Sequence, residues 1–117
     1  EEDIDIIMNH FSAPVYWVLC PRSNRYISGS VPQTVELLRA KKLNICIGTD
    51  SLASNHSLSI LEEIKALKDI PLFERLNLAT NVGAAALSVD NRGIINIDGV
   101  NLNTMQLTEN SRAKRVL

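Results

Sequence analysis

The stretch of this sequence best equipped for chemistry is Ile45-Cys46-Ile47-Gly48-Thr49-Asp50-Ser51-Leu52-Ala53-Ser54-Asn55, an apolar run ending on a carboxylate and a cluster of hydroxyls. Alternation along a strand puts Asn44, Cys46, Gly48 and Asp50 on one face and Leu43, Ile45 and Ile47 on the other. The bulky residues then pack against helices, and the smaller ones leave room at the strand's C-terminal end. In parallel α/β folds that end collects ligands and catalytic groups. A carboxylate there can bind a metal, act as a general base or accept a phosphoryl group. It can equally cap the next turn through its own backbone. The residues alone do not choose between these readings.

Other polar residues carry weaker signals. Arg22 and Arg25 stand in a polar stretch, Pro21 to Ser30, read as a loop, where they could meet an anionic group of a substrate or simply face water. Ser23 and Asn24 suit a turn built on side-chain to backbone bonds. His10 follows a helix face and His56 falls in the loop after Asp50, so both are expected at the surface. Cys20 and Cys46 lie in apolar stretches and form no close metal-binding pair. They read as buried, reduced thiols of a cytoplasmic protein, with one disulfide left open. Tyr16 and Trp17 read as core.

The elements that must position these residues follow from periodicity. Ile4, Ile7, Met8 and Phe11 recur at helical spacing behind acidic residues that suit a helix N-terminus, and Pro14 closes the segment. Val15 to Cys20 is apolar on both parities, as in a parallel strand covered on both faces. Val31, Val35 and Leu38 mark a second helix with Pro32 in its first turn and Lys41 and Lys42 at its end. A second strand spans Leu43 to about Gly48, and Thr49 to Ser57 is a loop. Ser59 and Glu62 form a candidate capping box ahead of Leu61, Ile64 and Leu67. Pro71 opens a further helical segment through Leu87, with Gly83 as a candidate break. From Gly93, Ile95/Ile97 and Val100/Leu102 alternate around Gly99, predicting short strands or a hairpin with its turn at Gly99.

Strands separated by helices imply a parallel sheet. Two such strands leave unpaired edges on both sides, which suits part of a larger fold better than an independent domain. The sequence also opens directly in a helical pattern without a methionine, as a trimmed or processed chain or a fragment would. Its 117 residues, 45% hydrophobic, can bury one ordinary core. Twelve basic and 13 acidic residues leave a net charge of -1 and no basic stripe for nucleic acid. The run Arg112, Lys114, Arg115 reads as a solvated edge. No apolar run approaches the roughly 20 residues that cross a bilayer, and Glu1-Glu2-Asp3 is unlike a signal peptide.

The segment Gly48-Thr49-Asp50-Ser51-Leu52-Ala53-Ser54-Asn55, with Ser57-Leu58 and Glu62-Glu63, resembles the eighth-strand signature of the amidohydrolase superfamily, in its cytosine deaminase, chlorohydrolase and adenosine deaminase-like branch. Cys20-Pro21-Arg22-Ser23-Asn24, with Gly29 and Pro32, resembles the seventh-strand motif. Leu78-Ala79-Thr80 through Gly83 and Ala86-Leu87 resembles the helix that leads to a small C-terminal β domain. The resemblance implies an α/β fold: the last two strand-helix units of a (β/α)8 TIM barrel over residues 1–92, then a short β tail of the flanking domain over 93–117.

In such enzymes the eighth-strand Asp holds a divalent metal and relays a proton from the water it activates, which attacks an sp² carbon and displaces ammonia or another leaving group. By resemblance that catalytic and metal-binding role falls on Asp50, and Arg22, Arg25 and Asn55 are weaker substrate-contact candidates. The family's His-x-His on the first strand and its histidines on the fifth and sixth have no counterpart here, and Leu19 stands where several relatives carry His. The parent protein is therefore expected to use zinc, with iron or manganese as alternatives, on a small molecule such as a cyclic amidine or aminopurine. The chain alone is expected to bind no metal and to show no turnover. Two other outcomes compete. In a receiver-like module Asp50 would accept a phosphoryl group, which needs further acidic residues beside the first strand, whereas Glu1, Glu2 and Asp3 precede a helix. Open strand edges would also drive self-association into a homo-oligomer.

Overall fold

A computed structural model describes residues 2–31, 34–89 and 94–116. Helix α1 (Glu2–His10) presents Ile4 to the core, while Met8 and Phe11 of its apolar stripe stay exposed. Strand β1 (Tyr16–Leu19) leads into α2 (Pro21–Ser28), then α3 (Thr34–Ala40) and strand β2 (Asn44–Ile47). The strands pair in parallel, Tyr16 opposite Asn44 and Leu19 opposite Ile47. Gly48 extends the ladder by donating its N–H to the Leu19 carbonyl at 2.8 Å. The structure is thus mixed α/β with a two-stranded parallel sheet.

The stretch read as a loop at Pro21–Ser30 is helical for eight residues. Pro21 presets the first turn, and Gly29 ends the helix at φ 75°, its N–H returned to the Arg25 carbonyl. Proline just inside and glycine just past a helix is the signature that identifies it. The stretch has no apolar stripe because its inward residues are Pro21 and Ser23. Pro32, the proline expected to open the next helix, lies outside the described residues.

Beyond the Asp50 loop, α4 (Ile60–Ala66) is followed by α5 (Leu72–Asn77), a π-helical turn (Leu78–Val82) and α6 (Gly83–Ala86). Ser59 is the N-cap of α4, but no side-chain capping bond forms there. Glu62 turns instead to Lys65, 2.8 Å away. The break expected near Gly83 is the π turn directly ahead of it. A bidentate Arg39–Glu74 pair at 2.6 and 2.7 Å ties α3 to α5. Leu19, Val35, Leu38, Ile45, Ile47, Ile64, Leu67, Ile70 and Leu72 form the core between the sheet and these helices.

The C-terminal hairpin pairs β3 (Ile95–Asn101) with β4 (Gln106–Arg115). Gly99 is not its turn. It lies at an irregularity in one continuous strand, and the turn spans residues 102–105. Gly93 itself lies outside the described residues. Lys65 Nζ holds the hairpin by donating to the Glu109 and Ser111 carbonyls, both at 3.2 Å. Arg75, fully buried on α5, donates to the Ile64 carbonyl at 2.8 Å and to Gln106 Oε1. Arg112, Lys114 and Arg115 are exposed on β4.

The two faces of the parallel pair differ. Leu19, Ile45 and Ile47 are buried, whereas Val18 on the alternate face of β1 is 60% exposed. Both faces were expected to be covered, and within the described residues β1 is covered well on one. Tyr26, Ile27, Leu52 and Leu58 are also largely exposed. Among the described residues no helix is long and apolar enough to cross a membrane.

Candidate functional site

Asp50 stands three residues beyond the last residue of β2, where strand alternation no longer sets direction. Its backbone has turned to φ 60°, a left-handed conformation that Asp tolerates better than most residues. The turn, not the pleat, therefore aims its carboxylate. Oδ1 accepts the Ser51 N–H at 2.8 Å, and Oδ2 accepts the Ser23 hydroxyl at 2.7 Å and the Ser54 hydroxyl at 3.2 Å. Ser23 was expected to bond backbone. Instead it is buried at the start of α2 and meets the side chains of both Asp50 and Ser54.

These donors favour the charged carboxylate. The Ser23 hydroxyl first, then the Ser51 N–H and the Ser54 hydroxyl, hold the Asp50 carboxyl below the usual range. A carboxylate offers about four lone-pair directions. Among the described residues three are occupied, and Oδ1 keeps one open on a residue exposed to solvent. Asp50 thus serves its own turn and remains free to meet a cation or a proton.

A second layer supports the loops. Glu63 is 0% exposed on α4, and its Oε2 accepts the Arg22 N–H at 2.8 Å. Its Oε1 accepts Asn55 Nδ2 at 2.6 Å, and Asn55 Nδ2 also donates to the Thr49 carbonyl at 2.8 Å. The Asn55 Oδ1 atom accepts the Ser57 N–H. Asn55 is therefore a buried brace whose amide is fully engaged. In the sequence Glu63 stands out only as part of a motif. Its spacing eight residues after Asn55 carries no local signal for this bond.

Arg22 donates to Ser57 Oγ at 2.9 Å. It lines a groove of ≈ 230 Å³ together with Arg25, Tyr26, Ser54, Asn55 and His56. The three substrate-contact candidates thus meet along one groove, and Asp50 is not among its lining residues. His10 and His56 are exposed, as expected. Cys46 is buried, Cys20 is half-buried, and both are free thiols. Burial raises the pKa of each, and for Cys20 the Asp50 charge adds to the effect. Among the described residues no three His, Cys, Asp or Glu side chains converge to hold a metal. A metal would find one carboxylate donor here, Asp50.

Residues 2–97, including every element of this site, match the profile of the amidohydrolase family. The chain belongs to that family. Among its amidohydrolase relatives, the 5-methylthioadenosine/S-adenosylhomocysteine deaminase of Caldanaerobacter subterraneus subsp. tengcongensis is 39% identical over 74% of this chain and 22% of its own length. The adenosine deaminase of Helicobacter pylori is 39% identical over 65% of this chain and 20% of its own. The 5-methylthioadenosine/S-adenosylhomocysteine deaminase of Halalkalibacterium halodurans is 34% identical over 81% and 24%. The chain spans about a fifth of the length of these relatives. No solved structure matches it. These relatives carry the names of deaminases.

Proposed function

We propose that this chain is the C-terminal portion of a metal-dependent amidohydrolase that removes an amino group from a cyclic amidine or aminopurine by hydrolysis, with Asp50 as metal ligand and proton carrier. The observation that carries the reading is the ionised, anchored and partly open carboxylate of Asp50 beyond the end of β2. Family membership across residues 2–97 and the deaminase names of its relatives support it. They do not favour a phospho-accepting module.

In this reading β1-α2 and β2-α4 are the last two strand-helix units of a (β/α)8 barrel, and the hairpin begins the flanking β domain. The open faces around Val18, Leu52 and Leu58 suit that placement, because the rest of a barrel would cover them. Asp50 would be this chain's ligand to a divalent ion, zinc first and iron or manganese as alternatives, which would supply Lewis acidity to activate a water. Asp50 would offer the open lone pair of Oδ1 to that ion as the protein donor, and would take up a proton on Oδ2 in place of the Ser54 hydroxyl, whose 3.2 Å bond is the longest that the carboxylate accepts. The Ser23 hydroxyl, at 2.7 Å, keeps Oδ2 fixed while that proton moves. Arg25 and Arg22, along their groove, provide cationic contacts for a substrate at the rim. With one carboxylate where a catalytic zinc site takes three protein ligands, the chain alone has no turnover. Its open apolar faces drive it to self-associate in solution, which sedimentation would register.

The test joins this chain, in place of the matching segment, to the remainder of the Caldanaerobacter deaminase, and measures ammonia release from an aminopurine nucleoside with zinc. The comparison is Asp50→Asn, since Asn tolerates φ 60° and keeps an oxygen for Ser23. The expected result is activity in the chimera and a loss of at least about a thousandfold in the variant, the scale seen when a central catalytic residue is removed. A variant as active as its parent would overturn the assignment.

A further inference from the structure

We propose that Glu63 is a positioning residue for the Asp50 carboxylate, acting by gripping the residue before Ser23 directly and, through Asn55, the residue before Asp50. The inference rests on the reading of Asp50 given above and assigns the group that sets its place. Glu63 Oε2 holds the Arg22 N–H at 2.8 Å, and Arg22 immediately precedes Ser23. Glu63 Oε1 holds Asn55 Nδ2 at 2.6 Å, and the same nitrogen holds the carbonyl of Thr49, immediately before Asp50, at 2.8 Å. The residues that follow, Ser23 and Asp50, then bond each other at 2.7 Å. One wholly buried carboxylate on α4 thus clamps the start of α2, beyond β1, and, through Asn55, the loop beyond β2.

The chemistry of the clamp requires a carboxylate. Both of its oxygens face N–H donors, so two acceptors are needed in a site that water does not reach. Glutamine has the same shape but offers one acceptor and one donor. In Glu63→Gln a donor faces a donor at one of the two grips, and that grip opens. Burying a carboxylate is costly for a domain that needs only to fold, which fits its use in fixing a neighbouring site.

The experiment measures backbone ¹⁵N order parameters in the full 117-residue chain and its variants. In Glu63→Gln, Asp50 and Ser51 are expected to fall from the rigid value of about 0.85 to below about 0.6, while Ile45 and Ile47 on β2 stay rigid. Asn55→Ser leaves the Arg22–Glu63 bond in place and removes the donor to Thr49. There Asp50 and Ser51 are expected to loosen while Arg22 does not. Rigid Asp50 and Ser51 in either folded variant overturn the proposal. Loosening that spreads to Ile45 and Ile47 overturns it too, because Glu63 would then support the whole fold. If Glu63→Gln fails to fold, Asn55→Ser decides. Neither metal nor turnover enters this measurement, so an inactive chimera would not bear on it, and rigid loops would not refute the chemistry of Asp50.

Discussion

Adding one methyl group at Gly48 tests how closely the two strands must approach to present Asp50. A Cβ at this position would lie 2.8 Å from Val18 Cγ1 and 3.3 Å from Cys20 Sγ. The first distance is well inside van der Waals contact, so β1 and β2 must part or Val18 must leave its rotamer. Val18 is β-branched and stiff at χ1, which limits the second escape. Its exposure leaves room to turn outward, which limits the damage. Forced overpacking usually costs about 1–3 kcal/mol, and the open side of Val18 argues for the middle of that range, about 2 kcal/mol. At roughly 4 °C per kcal/mol for a domain of this size, Gly48→Ala should lower Tm by about 8 °C. Val18→Ala removes the clashing atom, so the double variant should recover most of the loss, leaving the softer Cys20 contact. Urea denaturation of the four proteins gives the coupling energy directly. If Gly48→Ala costs as much in the Val18→Ala background as it does beside the native Val18, the strand spacing argued here is wrong.

Further outcomes follow from the buried polar groups. Arg75→Met keeps volume but leaves the Ile64 carbonyl with only the Leu67 N–H, at 3.3 Å, and cuts the link to Gln106. A loss of about 2 kcal/mol is expected, the scale of a hydrogen bond to a charged group, with faster limited proteolysis at residues 102–105; unchanged stability and cleavage would show that Arg75 does not tether the hairpin. Ser23→Ala removes the largest influence that lowers the Asp50 pKa, so the carboxyl midpoint should move up towards its ordinary value in an NMR titration. The sign follows from the depressed folded pKa: any stabilisation from Asp50 is present above the unfolded value and lost as pH falls through the folded one. Ser23→Ala narrows that acid window, and an unmoved midpoint would remove Ser23 from the account.

Much of the fold was legible because it is written in local periodicity. The apolar runs around Val15 to Leu19 and Leu43 to Ile47 became the two parallel strands, and Ile64 and Leu67 faced the core as their spacing predicts. Helix α2 was missed because its inward residues are Pro21 and Ser23, which carry no hydrophobic stripe. The Pro21 to Gly29 frame did carry the signal, through the usual placement of proline and glycine at helix ends. The hairpin was anticipated but its turn was misplaced: a glycine among alternating residues can mark a bulge as well as a turn, and pairing with a distant strand decides which.

Asp50 shows where local reading stops. Strand alternation assigned it to the face of Cys46 and Gly48, yet β2 ends at Ile47 and the φ 60° turn breaks the alternation before the carboxylate is reached. What aims it comes from three places in the chain: the start of α2, its own loop and, through Asn55, a glutamate on α4. No window of sequence contains that arrangement, because Ser23 and Asp50 are 27 residues apart and Arg22 and Glu63 are 41 apart. The two hydroxyls on Oδ2 and the single N–H on Oδ1 also divide the carboxylate unequally, leaving one oxygen anchored and the other open. That inequality matters for the chemistry proposed here, since a group that holds a cation and carries a proton must stay fixed while its protonation changes. An Asp that served only its turn would need the Ser51 N–H and nothing from α2. The buried Ser23 hydroxyl, aimed at it from the start of α2, is what supports the proposed reading of a carboxylate held for use over one that merely closes a loop.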